Sequence, residues 1–224
     1  MRPNNLPTLR RRHVLASLAS TTALMLTPAI GSAQGGAHVT PTQSLGPFYP
    51  RSAAERPGQV DNDLVTVEGE RVVTKGSPLY LTGRVLTRNG QAVPNALVEI
   101  WQCDANAVYH HPAGGAESER DRTFQGYGQT RSDASGGFHF RTIRPVPYPG
   151  RTPHIHVRVE AAGIATLATQ LYLANEPGNA RDFLYRQLNE AERAAISLAM
   201  RGTESDHPLA RATQATAAID LVIS

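Results

Sequence analysis

Short stretches in which apolar and polar residues alternate, separated by turn signals, dominate the chain from residue 79 onward. A period of two is typical of strands that bury one face. Six stretches have this pattern: Leu79–Leu86, Ala96–Trp101, Phe138–Ile143, His154–Glu160, Leu167–Leu173 and Ile219–Ile223. Short strands separated by turns predict an all-β fold, either an antiparallel β-sandwich or a barrel.

Turn signals and one helical pattern complete this prediction. Asn89-Gly90 fits a two-residue hairpin turn between the first two strands, because both residues tolerate positive φ. Asp133–Gly137 is a second turn cluster. Apolar residues recur near helical spacing from Asn179 to Met200, and Gly202 follows as a stop. We therefore expect one C-terminal helix beside the β fold.

The first 33 residues have the composition of an export signal. Arg10–Arg12 precede a mildly apolar stretch, Val14–Ile30, and Gly31–Ala33 offers the small residues that a signal peptidase needs. The adjacent arginines favour the twin-arginine type over the general secretory one. A transmembrane anchor is the alternative, but the stretch is short, rich in Thr and Ser and interrupted by Pro28. We predict a cleaved signal, a periplasmic or extracellular location and no membrane attachment after cleavage.

Removing this segment changes the charge of the chain. It holds four arginines and no acid, so the formal charge goes from +3 to about −1. A near-neutral chain gives no reason to expect nucleic-acid binding. The single cysteine, Cys103, excludes an intramolecular disulfide. Stability must then come from packing and from a metal, if one binds.

The residues before the first strand have no period. Ala37–Pro50 is rich in proline, and its apolar residues need cover, so we predict an extended N-terminal arm that lies over the domain. A polar loop follows. The chain is therefore divided into the export segment 1–33, the arm and loop 34–78 and a β domain 79–224, long enough for one core.

The strand at His154-Ile155-His156 carries the most informative chemistry. Side chains at i and i+2 point to the same face, so both imidazoles converge, and Tyr148 lies a few residues earlier in a Pro-rich turn. Imidazole suits iron, copper and zinc, whereas a phenolate favours Fe(III). The pattern therefore predicts an iron site. A zinc or copper site on the two histidines is the alternative, although it leaves the tyrosine unexplained.

Several motifs taken in order resemble one enzyme family. They are Trp101-Gln102 with Tyr109, Phe138–Pro149, Pro153–His156 and Thr169–Tyr172. Each is weak alone, but together they closely resemble the intradiol ring-cleavage dioxygenases, in particular the protocatechuate 3,4-dioxygenase type. The resemblance runs from Thr40–Gln43 through the last strand, which would make this chain a small exported member of that family.

The resemblance implies a prealbumin-like β-sandwich that holds a mononuclear, non-haem Fe(III). By motif position the protein ligands would be Tyr109, Tyr148, His154 and His156. Tyr148 would be the axial phenolate that leaves the metal and takes a substrate proton. Arg151 and Gln170 fall at catalytic positions of the family. No organic cofactor is implied.

Other residues near these motifs carry weaker expectations. Tyr49 in the arm and Tyr127 are candidate substrate contacts, and both also fit ordinary packing roles. His110 and His111 adjoin Tyr109, so they could reach the pocket, but as loop residues they are expected to face solvent. Gly150 stands where protocatechuate dioxygenases usually have a tryptophan, which predicts a more open site and puts protocatechuate itself in doubt as the substrate.

The implied reaction is the opening of a catechol-type ring by O2 to a cis,cis-muconate-type diacid, with both oxygen atoms incorporated. The partners would be a small aromatic diol and O2, and an arm such as Ala37–Pro50 often packs on a neighbour, which leaves a homo-oligomer open. The alternative is a non-catalytic, transthyretin-like binding module, which Gly83–Trp101 also resembles. Such a module has no need for two tyrosines and a His-x-His in this order.

Overall fold

In residues 38–70, 74–202 and 215–224, which this computed structural model describes, eight strands form two sheets. The strands are β1 (Pro78–Thr87), β2 (Leu97–Trp101), β3 (Tyr127–Arg131), β4 (Gly137–Ile143), β5 (His154–Ala161), β6 (Ile164–Leu173), β7 (Ser197–Leu198) and β8 (Ala215–Ile223). The six predicted strands are all present, and β3 and β7 are additional. The predicted export segment 1–33 and Ala37 lie outside the described residues.

The strands are arranged in one sheet of three and one of five. The three-stranded sheet has the order β4-β1-β8, and the five-stranded sheet has the order β3-β2-β5-β6-β7. β1 pairs with β8, and β6 with β7, in parallel. The mostly-β prediction is confirmed, but the purely antiparallel arrangement is wrong. Both sheets are mixed, because β7 and β8 reach their partners through long connections, which parallel pairing requires.

The turn after β1 forms, but it does not return the chain to the same sheet. Thr87 N–H donates to the Gln91 carbonyl at 2.8 Å, and Gly90 has a φ of +76°. The loop thus has three residues and one left-handed glycine instead of the predicted two-residue turn. Pairing with β1 ends after Val93, and Asn95 then adopts a φ of +59°. The chain crosses over, so β2 pairs with β3 and β5.

The predicted long C-terminal helix is wrong. The segment contains two 3₁₀ turns, Pro177–Arg181 and Tyr185–Gln187, and one short helix, α1 (Glu190–Ala195). The Asp182 carboxylate accepts from the N–H groups of Leu184 and Tyr185, at 3.0 Å each. Side chains that bond to nearby backbone start new turns and end continuous helices. No helix in the described ranges is long and apolar enough to cross a membrane.

Both sheets contribute to one hydrophobic core. Its fully buried members include side chains from the three-stranded sheet, Leu81, Phe140 and Leu221, and from the five-stranded sheet, Ile155 and Leu171. Alternation along each strand brings these residues to one face. Burying such a side chain contributes about 1.5–3 kcal/mol, so the core supplies the main driving force for the fold.

The segment from residue 38 to residue 50 bonds to one strand of each sheet: the edge strand β8, and the part of β6 that the short β7 does not cover. Thr40 N–H donates to the Val222 carbonyl at 3.0 Å, and Val222 N–H donates to Thr40 Oγ1 at 2.8 Å. Three residues later, Gln43 N–H donates to the Ala168 carbonyl in β6 at 2.7 Å. These bonds satisfy backbone groups that an edge strand would otherwise expose.

Replacing Thr40 with Val should lower the free energy of unfolding by about 1–3 kcal/mol, because the buried Val222 N–H loses its acceptor. Urea unfolding of the full chain measures this. Thr42→Val is the matched control, since Thr42 is exposed and its replacement should change stability by less than about 0.5 kcal/mol. Equal effects of the two substitutions would contradict the role given to Thr40.

Candidate metal centre

Two histidines of β5 place their ring nitrogens against each other. His154 and His156 are each 2% exposed, and their Nε2 atoms lie 3.2 Å apart. His154 Nδ1 lies 2.7 Å from the Thr152 carbonyl, so Nδ1 carries the hydrogen and Nε2 of His154 presents a lone pair. A lone pair aimed at a second imidazole nitrogen is an arrangement that a metal ion stabilises.

Burial keeps both imidazoles uncharged. Burial, with the nearby Arg151 charge acting in the same direction, lowers the pKa of His154 to about 4. Burial also lowers the pKa of His156 well below its usual value, and His154 and Arg151 contribute in the same direction. At neutral pH both rings are therefore neutral, which is the form that binds metals.

The Tyr109 side chain reaches the histidines from the loop after β2. The loop is shaped by the buried Asp104, whose carboxylate accepts from the backbone N–H groups of Asn106 at 2.9 Å and Val108 at 3.0 Å. Tyr109 is buried, and its hydroxyl lies 3.4 Å from His154 Nε2. The Asp104 turn thus delivers a phenol to the open side of the imidazole pair.

Tyr148 is presented by a tight turn immediately before β5. Arg151 N–H donates to the Tyr148 carbonyl at 2.9 Å, and Gly150 has a φ of +81°. Proline followed by a left-handed glycine is typical of a type II turn. The Tyr148 ring lies 5.5 Å from the Tyr109 ring and 5.5 Å from the His154 ring, measured between centroids. Four side chains from three segments therefore converge.

Both phenols hold their protons in the protein alone. Burial raises the pKa of Tyr109 well above its usual value, and the neighbouring Tyr148 adds to this rise. Burial also raises the pKa of Tyr148, although the Arg151 charge opposes the rise. A phenolate at either position at neutral pH therefore needs a strongly charged cation beside it.

The tyrosines are needed to complete any metal site at this pair of histidines. Within 38–70, 74–202 and 215–224, no group of three or more His, Cys, Asp or Glu side chains is placed to hold a metal ion. Two imidazoles with two phenols give a nitrogen and hard-oxygen donor set, which suits Fe(III). The residues present therefore fit the predicted metal.

Arg151 is fixed beside the tyrosines by acceptors on every side. Its Nε donates to Asp182 at 2.8 Å, its Nη1 to the Tyr148 hydroxyl at 3.3 Å, and its Nη2 to the Tyr172 hydroxyl at 3.3 Å and to Gln170 Oε1. Burial disfavours the charged guanidinium, but the Asp182 carboxylate outweighs this and raises the pKa of Arg151. The cation is thus permanent and immobile.

The register of the five-stranded sheet explains which side chains share this face. Trp101 pairs with His156, and His156 pairs with Gln170, so the three form one row across β2, β5 and β6. The Trp101 ring stacks on His156 with centroids 4.8 Å apart and planes at 8°. Directly opposed residues in neighbouring strands lie on the same face. Gln170 therefore belongs to the site through register alone.

Comparison with known proteins agrees with this geometry. A family model described as Dioxygenase matches residues 45–206. The protocatechuate 3,4-dioxygenase beta chain of Burkholderia cepacia is 34% identical over 176 residues, which cover 72% of this chain and 73% of that protein. The chain belongs to the intradiol ring-cleavage dioxygenase family. It is accordingly an oxidoreductase of the ring-cleaving class.

Further relatives of this intradiol dioxygenase differ in length. The hydroxyquinol 1,2-dioxygenase of Rhodococcus opacus is 30% identical, and the match covers 62% of this chain but only 47% of that protein. The dioxygenase domain of a carbohydrate-binding fusion from Streptomyces sp. SirexAA-E superposes with a TM-score of 0.59 at 31% identity, covering 83% of this chain and 97% of that one. Catechol 1,2-dioxygenase from Acinetobacter sp. ADP1, at 24% identity and a TM-score of 0.61, shares the fold; the match covers 83% of this chain and 62% of that one.

The two predicted substrate contacts meet at a buried carboxylate. Tyr49 and Tyr127 both donate their hydroxyls to Glu99, which is fully buried and also accepts from Arg158. The Tyr49 ring packs on Trp101, with centroids 4.9 Å apart, and Trp101 in turn stacks on His156. Tyr49 therefore supports Trp101 directly, and Glu99 joins Tyr127 to Tyr49. A contact of either tyrosine with substrate stays a prediction.

The expectation that His110 and His111 face solvent is wrong. Their side chains are 15% and 11% exposed. His110 Nε2 lies 3.1 Å from the buried Asp104, and His111 lies 3.7 Å from Glu55. A loop that turns back on a buried carboxylate also draws its histidines inward, which the local composition does not reveal.

Sequence reasoning missed three residues that shape the site. Phe48 stacks on Tyr109, with ring centroids 4.3 Å apart and planes at 22°. Tyr172 and Asp182 both hold Arg151. Tyr172 lies two residues after Gln170 on the same face of β6. This spacing can be seen in the sequence and could have indicated that Tyr172 belongs to the site. Asp182 lies within the segment that was predicted to be a helix, so its contact with Arg151 was not expected.

Asp182→Asn should lower the free energy of unfolding by about 3–5 kcal/mol at neutral pH, because it leaves Arg151 buried without its charge partner. The matched control is Asp220→Asn, which breaks the exposed Arg84–Asp220 pair and should cost less than about 1 kcal/mol. Urea unfolding measures both.

The Asp182 effect should also depend on pH with a definite sign. Burial opposes ionisation, but the hydrogen bond from Arg151 and the backbone donors hold the pKa of Asp182 below its usual value. Its contribution is therefore complete above the unfolded pKa of about 4 and is lost as the pH falls through the lower folded pKa. A difference between wild type and variant that does not shrink in acid would contradict this assignment.

Proposed function

We propose that this protein is a non-haem Fe(III) intradiol dioxygenase that opens a catechol-type ring with O2 to a cis,cis-muconate-type diacid. Family membership supports the reaction class. The convergence of Tyr109, Tyr148, His154 and His156 on one buried point carries the metal assignment. Bound there, Fe(III) would supply the positive charge that favours phenolate over phenol and a doubly ionised diol over a neutral one.

The two tyrosines would handle protons differently. Tyr109 is buried beneath Phe48, so it would remain in place as a permanent phenolate. Tyr148 is only half-buried, and its Oη accepts from Arg151. A Tyr148 phenolate can therefore take one of the two diol protons at Oη while the turn keeps the side chain at the site. This assigns the base of the reaction to a residue of this chain.

Arg151 and Gln170 would act on the charge that develops during ring opening. The Arg151 guanidinium is fixed by Asp182 and lies 3.3 Å from Tyr148 Oη. A preorganised cation at this place stabilises negative charge on a bound diol or on its oxygenated intermediate. Gln170 accepts from Arg151 and donates to the Ser44 carbonyl, so it would hold the cation and position the residues that cover the site.

The substrate would be a small aromatic diol that need not be protocatechuate. A Cβ at Gly150 would meet no atom within 4 Å, which supports an open mouth beside Arg151. Oxygen uptake with simple, carboxylated, hydroxylated and chlorinated catechols would identify the preferred ring. Self-association stays a prediction that sedimentation of the purified protein would test.

We also propose that the two sheets are the layers of a β-sandwich and that residues 38–50 are its extended arm. The shared core and the bonds of Thr40 and Gln43 to β8 and β6 support this arrangement. The arm would then carry Phe48 onto Tyr109. In this reading residues 34–78 are the arm and loop, and 79–224 are the catalytic domain.

Tyr109→Phe should abolish the visible charge-transfer absorption of the iron-loaded protein that arises from this phenolate, and it should abolish ring opening. The physical reason is that phenylalanine offers no oxygen to the metal. Absorption spectroscopy, iron analysis and oxygen uptake measure the three effects. A colour identical to that of the wild type would remove Tyr109 from the ligand set.

Arg151→Ala is the control variant for this experiment, because it leaves all four ligands intact. The colour should remain and the turnover should fall by about a hundredfold or more. Near-normal turnover would refute the catalytic role of Arg151. A wild-type protein that stays colourless and inactive after loading with iron in air would instead favour a non-catalytic, transthyretin-like module.

Export with removal of residues 1–33 is proposed from the sequence alone. Expression of the full chain in a bacterium should give a periplasmic or secreted product whose mass lacks this segment. Lys-Lys in place of Arg11-Arg12 should block export if the route is the twin-arginine one. Intact-mass spectrometry of cell fractions provides the measurement, and a full-length cytoplasmic product would contradict the proposal.

A further inference from the structure

A path of hydrogen bonds links the segment before the first strand to the guanidinium of Arg151. Tyr172 Oη accepts from Arg151 Nη2 and from Gln43 Nε2, at 3.3 Å each, and lies 3.2 Å from Gln170 Oε1. Tyr172 is fully buried, and Gln43 is half-buried. Gln43 is thus connected to Arg151 through a single hydroxyl group.

Two bonds to backbone groups of β6 fix the Gln43 side chain. Its N–H donates to the Ala168 carbonyl at 2.7 Å, and its Oε1 accepts from the Gln170 N–H at 3.2 Å. The side-chain oxygen takes the place that the carbonyl of a neighbouring strand would occupy. Because a backbone N–H can only donate, the amide oxygen faces Gln170 and the amide nitrogen faces Tyr172.

This orientation determines where the Tyr172 hydrogen points. Gln43 Nε2 and Arg151 Nη2 are both donors, so neither can accept the phenolic hydrogen. Of these three partners, Gln170 Oε1 alone is an acceptor, and it also accepts from Arg151. The hydroxyl therefore donates to Gln170 and offers its lone pairs to Gln43 and to the guanidinium.

We propose that Gln43 is a positioning residue, which orients the Tyr172 hydroxyl and through it the Arg151 guanidinium for ring opening. The inference rests on the proposed function, because Arg151 is catalytic only in that reaction. The two atoms of the Gln43 amide have separable roles. Oε1 anchors the segment on β6, whereas Nε2 acts on Tyr172, so an anchoring role alone would leave the donor dispensable.

Gln43→Glu and Gln43→Met in the iron-loaded full chain separate these roles. Glutamate keeps an oxygen for the Gln170 N–H but replaces the donor with a second acceptor, which draws the Tyr172 hydrogen away from Gln170. Methionine removes both polar atoms at a similar length. We expect turnover to fall by about tenfold in both variants.

Other properties should stay unchanged in these variants. KM should change by less than about twofold and the charge-transfer colour should remain, because Arg151 acts on charge that develops after binding. Thr42→Val, at an exposed position of the same segment, is the matched control and should keep full turnover.

A Tyr172→Phe background shows whether Gln43 acts through the hydroxyl. In that background Gln43→Met should lower turnover by less than about twofold, because the path to Arg151 is already broken. A merely anchoring residue would cause the same fall with or without the hydroxyl.

A measurement without iron separates this proposal from the proposed function. In the iron-free full chain, the effect of Gln43→Met on the equilibrium constant of urea unfolding should be at least about threefold smaller in an Arg151→Lys background. Lysine keeps a cation for Asp182 but loses the fork that reaches Tyr172. Coupling in a wild-type protein that opens no ring would overturn the proposed function and with it the catalytic purpose of Gln43. Absence of coupling in an active enzyme would overturn the positioning role alone.

Two further results would contradict the positioning role. One is near-normal turnover in Gln43→Glu, which would leave Gln43 as an anchor only. The other is a tenfold fall for Gln43→Met that persists in the Tyr172→Phe background. Should Gln43→Met fail to fold, Gln43→Glu, which keeps the anchor, decides the outcome.

Discussion

Two uncharged imidazoles held with their Nε2 atoms 3.2 Å apart constrain much of the five-stranded sheet around them. Burial removes the charge that water would otherwise allow on either ring, and the hydrogen bond from His154 Nδ1 to Thr152 fixes where the first lone pair points. Without a metal, His156 can donate from Nε2–H to this lone pair, because its Nδ1 has no other partner among the described residues; a metal ion would take the place of that hydrogen. Ring contacts hold His156 in place: Trp101 stacks on it, and Tyr109 packs edge-on against it.

Buried charges keep this arrangement rigid. Asp182 holds Arg151 beside Tyr148, and Glu99 joins Arg158 to Tyr49 and Tyr127 on the side of Trp101. Buried ion pairs add little net stability, because desolvation offsets their attraction, but each partner is costly to leave alone. Their value here is orientation. In the proposed reaction, a guanidinium held by these bonds would present the same field to the substrate at every turnover, which is what preorganised catalysis requires.

The fold and the site meet in the segment before the first strand. Residues 40 and 43 bond to β8 and β6, one strand of each sheet, and Phe48, a few residues later, stacks on Tyr109. A segment without regular structure thus bonds to backbone groups of both sheets and covers a proposed metal ligand at once. The relatives differ widely in length around the part they share, so we expect the covering residues to vary more than the ligands do.

Period-two patterning was sufficient to locate six strands, because one buried face leaves a local signal, and the spacing of His154 and His156 was sufficient to place both on one face. The order of the motifs was sufficient to identify the family.

The sequence did not reveal which strands pair with each other, because the crossover after Val93 and the parallel addition of β8 depend on which sheet edges are free in three dimensions. The short turns around Asp182 replaced a predicted helix because one carboxylate bonds at once to local backbone and to Arg151, thirty-one residues earlier in the chain. Sequence alone thus located six of the eight described strands and predicted the donor atoms, whereas only the tertiary structure decided which distant side chains hold them, since burial and long-range contacts leave no period in the chain.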